Sequence, residues 1–494
     1  MDSTNPVVNV YEYFVFFYGL ALFLSYAILG ICSYLNIRRY QRYNLQIDDN
    51  SIMNSPLTPG ISVIAPAFNE SKTIISNVRS LLTLHYPKFE VIIVNDGSTD
   101  DTLELLIKEF ELEETSFFYD EKIKSQPVKR IFKSLNPAFS ILTVVDKVNG
   151  RSKADASNAG INASFHPYFL CTDVDCILDR DTLLKMIKPI LDSVIPVIAV
   201  GASLRMANSC DIDQGIITRV RPPKGLFPKF QELEYTRSYL LGKMGWSYLN
   251  AVPNVSGGLG LFNKDIIVKS GGYDPLSHAE DMDMVVRMIT FMNNNKLKYN
   301  ITYIPLSCCW TEGPPTLKVL NLQRTRWGRG LYQVFSNHYK VLFNPKYKRF
   351  GLITFPYIFV FEFLAPIIEM GGLLFFVFLL LTNQINWEMF LIIFSFSYTF
   401  ALLITFLTIL WDQIVFKYYK TGNEVLELLL VGFIEPFIYH PLIVFFALRG
   451  YLLNLTRRKY EWGFMTRAGF EEEERKNVEM LLEPIPDSTL LKNN

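Results

Sequence analysis

Two blocks of apolar sequence dictate what this chain can become. Residues 11–35 are almost uninterrupted hydrophobic sequence, and most of residues 350–450 are too. A stretch of about 20 apolar residues is what a helix needs to cross a hydrocarbon core of about 30 Å. Half of the 494 residues are hydrophobic and 39 are Phe, and the excess gathers in these two blocks. The chain therefore reads as an integral membrane protein with a polar domain of α/β character between its anchors. A net charge of zero gives no field for a nucleic acid partner.

Residues 11–35 are too long for a cleaved leader and lack its basic start. Arg38, Arg39 and Arg42 follow them, which puts the N-terminus outside and residue 40 onward in the cytoplasm. Residues 350–381 carry Pro356, Glu362, Pro366 and Glu369, and read as an interfacial helix leading into a span. Residues 387–411 are a second clean span with Trp at both ends. Residues 424–448 contain Glu427, Glu435-Pro436 and His440-Pro441 and precede a basic tail of Arg449, Arg457, Arg458 and Lys459. A full crossing would put that tail outside, against the charge rule, so a broken, interfacial or re-entrant element is expected. This gives an anchor over 1–45, a cytoplasmic domain over 46–340, interfacial and membrane helices over 341–455, and a cytoplasmic tail over 456–494. Glu362, Glu369, Glu435 and His440 belong either to a polar pore or to helices at headgroup depth.

Within 57–340, strand-length runs at 61–68, 91–95, 141–146 and 168–172 alternate with helical patterns such as 73–84 and 153–163. Such alternation predicts a mainly parallel sheet covered by helices, with ligands beyond the carboxyl ends of the strands. Asn69-Glu70, Asp96-Gly97 and Asp173-Val174-Asp175 all fall just past strand ends and converge on one edge. No Gly-x-Gly-x-x-Gly follows the first strand and there is no P-loop, which argues against dinucleotide enzymes and P-loop nucleotidases. The charged, aromatic stretch 111–135 reads as a surface excursion. The six cysteines lack the spaced pairs of a zinc site.

Each motif has a chemical and a bland interpretation. Asp173 and Asp175 suit a hard divalent ion, Mg²⁺ or Mn²⁺, that also takes phosphate oxygens, or form a turn. Asp96 accepts hydrogen bonds from a base or ribose, or forms the turn before Gly97. Lys153 approaches phosphate and Asp155 the nucleoside, or both belong to a solvated face. Asp281, beside Glu280 and Asp283, is placed to act as a general base, or opens a helix whose dipole favours acids. Arg326 forks onto a pyrophosphate, and Trp327 stacks on a sugar one position on, with Gln323 a turn before; an amphipathic surface helix would use the same residues.

In order, Pro66-Ala67-Phe68-Asn69-Glu70, Asp96, Lys153-Ala154-Asp155, Asp173-Val174-Asp175, Glu280-Asp281 and Gln323-x-x-Arg326-Trp327 resemble the motifs of the family 2 glycosyltransferases. Within that family the chain is similar to processive membrane synthases of cellulose, hyaluronan and, most of all, poly-N-acetylglucosamine. The resemblance covers roughly residues 10–470. It implies a GT-A-like fold and an inverting transfer of GlcNAc or Glc from a UDP-sugar to a β-linked polysaccharide. The resemblance makes Asp281 the base. It assigns Pro66, Glu70, Asp96, Lys153, Asp155, Asp173 and Arg326 to the donor, Glu280, Gln323 and Trp327 to the acceptor, and Asp173 and Asp175 to the metal. It further implies a bacterial inner membrane, contact with its lipids, and an accessory or export subunit as a possible partner. Ala279 stands where the family has Thr, and some members have more than one N-terminal span. Ser256–Phe262 and Gly271-Gly272-Tyr273-Asp274 resemble acceptor-side loops, and Trp462–Arg467 a gating segment. Two other functions fit less of the sequence: transfer of one sugar to a polyprenyl phosphate or other lipid, and a non-catalytic carrier or sensor of nucleotide sugars.

Overall fold

The computed structural model describes residues 6–44, 48–116, 119–213 and 215–456. Trp462–Arg467 lies outside them. The chain opens with helix α1 (Pro6–Asn44) and the short α2 (Asp49–Asn54). Then β1 (Ile61–Ala67), α3 (Ile74–Leu82), β2 (Phe89–Asn95) and α4 (Thr102–Glu109) alternate. Strands β3 (Leu112–Glu114), β4 (Val128–Ser134) and β5 (Leu142–Lys147) precede α5 (Lys153–Ala163). Next come β6 (Tyr168–Thr172), β7 (Ile177–Leu178), α6 (Thr182–Asp192), β8 (Val197–Met206), β9 (Asp211–Asp213) and β10 (Ile216–Arg219).

One ten-stranded sheet runs β3-β4-β5-β2-β1-β6 and is extended beyond β6 by strands from later in the chain. The run β5-β2-β1-β6 is parallel, as the strand–helix alternation predicts. Its strands are buried on both faces, which explains why they read as continuous apolar runs. Residues 111–135 are not wholly an excursion. They supply β3 and β4, antiparallel strands that finish the sheet edge. Their adjacent exposed charges, Glu113-Glu114 and Lys129-Arg130, are those of an exposed edge, which hid the strand signal.

After β10 the chain forms α7 (Leu226–Arg237), a π-helical turn (Ser238–Lys243), α8 (Met244–Tyr248), β11 (Leu259–Asn263), α9 (Lys264–Lys269), α10 (Glu280–Asn294) and β12 (Asn300–Thr311). Strand β11 enters the sheet antiparallel between β6 and β8, and β12 pairs parallel to β8.

The C-terminal part begins with α11 (Leu317–His338). Two π-helical turns, Phe350–Thr354 and Phe359–Phe363, flank α12 (Phe355–Ile358), and α13 (Ala365–Leu381), α14 (Trp387–Phe416) and α15 (Gly422–Leu455) follow. Four segments are long and apolar enough to cross a membrane: Val8–Arg42, Phe350–Leu381, Trp387–Phe416 and Gly422–Leu455. The protein is integral to a membrane. Helix α1 lines up with α13 and α14 through Tyr11–Phe375, Phe23–Phe400 and Tyr34–Trp411 ring contacts.

Helix α15 corrects one expectation. It is not broken at Pro436 or Pro441 but runs unbroken for 34 residues. Both of its ends are nevertheless fastened to the polar domain. Near its start Glu424 pairs with Arg219, 2.9 Å away. Near its end Arg449 donates to Asn321, and Gly450 packs on Thr325 and Gly328 of α11. A Cβ on Gly450 would sit 2.5 Å from the Thr325 carbonyl oxygen, so only glycine allows this approach.

Candidate active site

The site forms where the polar motifs leave the sheet. Strand β1 is flanked by β2 and β6, so the loops after these three strands share one crevice. The loop after β1 is locked to the loop after β2. Asn69 Oδ1 accepts from the Thr99 amide at 2.8 Å, and Ser98 Oγ accepts from the Asn69 amide at 3.0 Å. Pro66 is the next-to-last residue of β1, opposite Val94. Glu70 caps the following turn, its amide donating to Thr102 Oγ1 and its carboxylate accepting from Thr73.

Asp96 is held rather than loose. Its Oδ1 accepts from Lys147 Nζ at 2.5 Å and from the Gly150 amide at 2.9 Å. Burial raises the Asp96 pKa, only partly offset by these two donors. Gly97 follows at φ 65°, a left-handed turn that brings the chain against Asn149. Asp155, expected at the nucleoside, is instead drawn into the same buried cluster. Its Oδ2 meets Lys147 Nζ at 2.6 Å and its Oδ1 accepts from the Gln126 amide at 3.0 Å. Lys147, fully buried between two aspartates, is the residue that sequence motifs missed. Its position as the last residue of β5 gave no sign of carboxylates 51 residues before it and 8 after it.

Asp173 follows β6 directly. The antiparallel register pairs Leu259 with Thr172, so the next step places Gly258 beside Asp173. Thr172 Oγ1 donates to the Gly258 carbonyl at 3.0 Å. The Gly257-Gly258 turn is the hub of the site. A Cβ built on Gly257 would lie 3.8 Å from Glu280 Oε1 and from Lys153 Nζ, and 3.9 Å from Asp281 Cβ. One built on Gly258 would lie 3.6 Å from Asp173 Oδ2. Lys153 Nζ pairs with Asp173 and donates to the Gly257 carbonyl at 2.6 Å. Burial presses the Lys153 ammonium towards deprotonation, but Asp173, Cys171 and Glu280 together outweigh this, and the Lys153 pKa lies above the ordinary value.

Asp173, Asp175 and Cys176 each offer a ligand atom within 4.8 Å of the others. Two carboxylates beside a thiol fit a divalent cation. Asp173 is half-buried and Asp175 buried, so a bound ion would face the cleft through Asp173.

Glu280 and Asp281 open α10. Asp281 Oδ1 accepts from the Met282 amide at 2.8 Å and Oδ2 from the Gly257 amide at 3.3 Å. Glu280 is buried, which raises its pKa; Asp281 raises it further, while Arg326 and Lys153 oppose. Asp283, third in the acidic cluster, faces away. It binds Arg287 at 2.8 Å and His338 at 2.7 Å, tying α10 to the end of α11.

On α11, Arg326 lies against the acid pair, 3.9 Å from Glu280, and donates to the His278 carbonyl at 3.4 Å. Gln323, a turn earlier, has a buried Oε1 with no hydrogen bond among the described residues. Trp327 has one indole face covered by the Arg324 guanidinium, 4.2 Å from the ring centroid. Arg324, inside the Gln-x-x-Arg-Trp motif, is itself buried and forks onto Glu234 at 2.6 Å through both terminal nitrogens. Its partner lies 90 residues away, which no local pattern reveals.

The chain matches the family model described as Glycosyl transferase family 2 over residues 62–203, and Glycosyl transferase family group 2 over residues 192–415. Poly-β-1,6-N-acetyl-D-glucosamine synthase of Staphylococcus aureus is 30% identical over 362 residues, covering 72% of this chain and 73% of the relative. The Staphylococcus epidermidis protein of the same name is 29% identical over 311 residues, 62% of each chain. Among solved structures, a Pyrobaculum calidifontis mannosyltransferase in complex with GDP-Man and Mn²⁺ aligns with 89% of this chain and 99% of that one. Its identity is 17% and the TM-score 0.48.

Proposed function

The chain belongs to glycosyltransferase family 2, and on that premise we propose a membrane synthase that adds N-acetylglucosamine from its UDP derivative to a growing β-linked polysaccharide. The carrying observation is the meeting of Lys153, Asp173, Glu280 and Asp281 around the Gly257-Gly258 turn. The sugar is suggested by the staphylococcal relatives and the activity they are named for.

In this reading the crevice at Asp96 holds the uridine, and Lys147 and Asp155 fix the Asp96 carboxylate from behind. Asp173 and Asp175 would hold Mg²⁺ or Mn²⁺, which when bound would offset diphosphate charge and stabilise the leaving UDP. Lys153 sits beside Asp173, where it faces the same diphosphate. Asp281 takes the proton of the acceptor hydroxyl. The freed oxygen pair forms a bond to the anomeric carbon while the bond to the β-phosphate oxygen breaks. The electron pair leaves with UDP, and the configuration inverts from α to β. Arg326, 3.9 Å from Glu280, balances that carboxylate beside the base and is placed to meet the diphosphate. The buried Gln323 Oε1, without a hydrogen bond among the described residues, suits an acceptor hydroxyl, and the half-buried Trp327 indole, with Arg324 on one face, suits a sugar ring.

A cytoplasmic catalytic domain with three crossings, α1, α13 and α14, accords with both ends of α15 being tied to that domain. The test is UDP release by the purified protein in nanodiscs, over a panel of UDP-sugars with and without Mg²⁺ or Mn²⁺, with the product sized. Metal-dependent release with UDP-GlcNAc and a long polymer supports the proposal. A single sugar on a lipid replaces processive synthesis by lipid transfer, and no release from folded protein overturns it.

A further inference from the structure

Lys243 belongs to no motif. It closes the π-helical turn between α7 and α8 and is 8% exposed. Its Nζ donates to Asn254 Oδ1 at 2.5 Å and to the Asn254 carbonyl at 3.3 Å. An ammonium group carries donors only. The amide oxygen of Asn254 must therefore face Lys243, which turns the amide Nδ2 the other way. There it reaches Asp281 Oδ2 at 3.5 Å, long for a hydrogen bond, as catalytic contacts often are before substrate arrives. Without Lys243 the amide could flip and turn its oxygen toward the carboxylate, a repulsive contact.

The surroundings show that this charge is kept in place against a burial penalty. Burial pulls the Lys243 pKa down to about 8, and the Asp281 and Glu362 carboxylates oppose that shift. The ammonium lies 5.5 Å and 5.3 Å from the ring centroids of Tyr239 and Tyr303, whose faces favour a cation. Tyr303 in turn accepts from the Ser256 amide, beside the glycine turn that touches Asp281. Lys243 is thus linked to the base both through Asn254 and through the wall of its pocket.

We infer that Lys243 is a positioning residue for the catalytic base: it fixes the Asn254 amide so that Nδ2 donates to Asp281 Oδ2. That donor and the Gly257 amide engage one carboxylate oxygen and the Met282 amide the other, which limits the direction left for an acceptor hydroxyl. The inference rests on the proposed function, because it assumes that Asp281 takes a proton from an acceptor.

The experiment compares steady-state UDP release from UDP-GlcNAc by the full chain and by Lys243→Met, Asn254→Asp, Asn254→Ala and the Lys243→Met/Asn254→Ala double variant. Misplacing a reacting group costs up to about a hundredfold in rate, so Lys243→Met should lose about tenfold or more in kcat while the donor KM stays within about twofold. Asn254→Asp keeps the partner of Lys243 but puts an oxygen where Nδ2 was, and should lose at least as much. The double variant should be no slower than its slower parent, because both changes break one device. Full turnover by a folded Lys243→Met, or by Asn254→Asp, overturns the inference, and so does additive loss in the double variant. If Lys243→Met does not fold, the two Asn254 variants decide. The unmodified chain's own UDP release tests the proposed function, and only variant-to-parent ratios bear on Lys243.

Discussion

Asp281 accepts from two backbone amides, so Asn in its place keeps the size and part of the bonding while removing the proposed base. General-base catalysis contributes about 10²–10⁴-fold. Asp281→Asn should lose turnover on that scale while UDP binding, measured by calorimetry, is unchanged; near-normal turnover would sink the assignment. His278 offers a pH test. Burial, with Arg329 and Arg326 close by, lowers its pKa from 6.5 to about 4. Between those values the unfolded chain binds the proton and the folded chain does not, so stability rises with pH across about 4 to 6.5. His278→Asn should flatten that slope in thermal unfolding scans, and an unchanged slope would count against it. Asp173, Asp175, Lys153 and Asp281 stand in short local patterns and were legible in the sequence as candidates, which the fold brings close together. Lys147, Asn254 and the Glu234 partner of Arg324 were not, since each acts through a contact distant along the chain.

The crossing of α11 and α15 depends on two glycines. A Cβ on Gly328 would meet the Ala447 carbonyl oxygen at 2.7 Å, and one on Gly450 would meet the Arg329 amide nitrogen at 2.7 Å. Overpacking of this kind typically costs about 1–3 kcal/mol. Gly450→Val should lower the unfolding midpoint in detergent more than Gly422→Val, since Gly422 has open space around it; equal shifts would argue against close packing. The orientation of α15 is open to a second measurement. Single cysteines at Thr421 and Arg449 in a chain lacking its native thiols should be labelled from the same side of sealed vesicles, and labelling from opposite sides would mean a fourth crossing. Hydropathy located α15 over residues 424–448 but not its full run of 34 residues or the ties at its ends. Length and apolarity are intrinsic to a segment, whereas Arg219 and Asn321, which fasten its ends, lie far earlier in the chain. The parallel strands were legible from their apolar runs. Strand β4, second from the sheet edge, was not, because its exposed residues are charged like a loop.

The catalytic region and the membrane helices are joined by a buried charge cluster. Arg205 of β8 pairs with Glu232 of α7 at 2.8 Å and with Asp412 near the end of α14, and Tyr419 donates to Glu232 at 2.9 Å. Removing one partner of such a cluster leaves an uncompensated buried charge, at about 3–5 kcal/mol. Arg205→Met should therefore destabilise the whole molecule strongly, and Asp412→Asn in the same background should recover part of the loss. Independent effects in an unfolding cycle would show that the cluster is not coupled. The bulk division into membrane and polar parts was visible in composition alone, but the junction was not, because Arg205 and Asp412 stand 207 positions apart. That separation also imposes an order on biogenesis. When the ribosome delivers α14, its Asp412 needs a counterion that only an already folded sheet can present. Domains generally fold as units in the order of synthesis. The catalytic region would then act as the template on which the last helices are seated, and a chain whose sheet folds slowly would leave an unpaired acid waiting at the membrane.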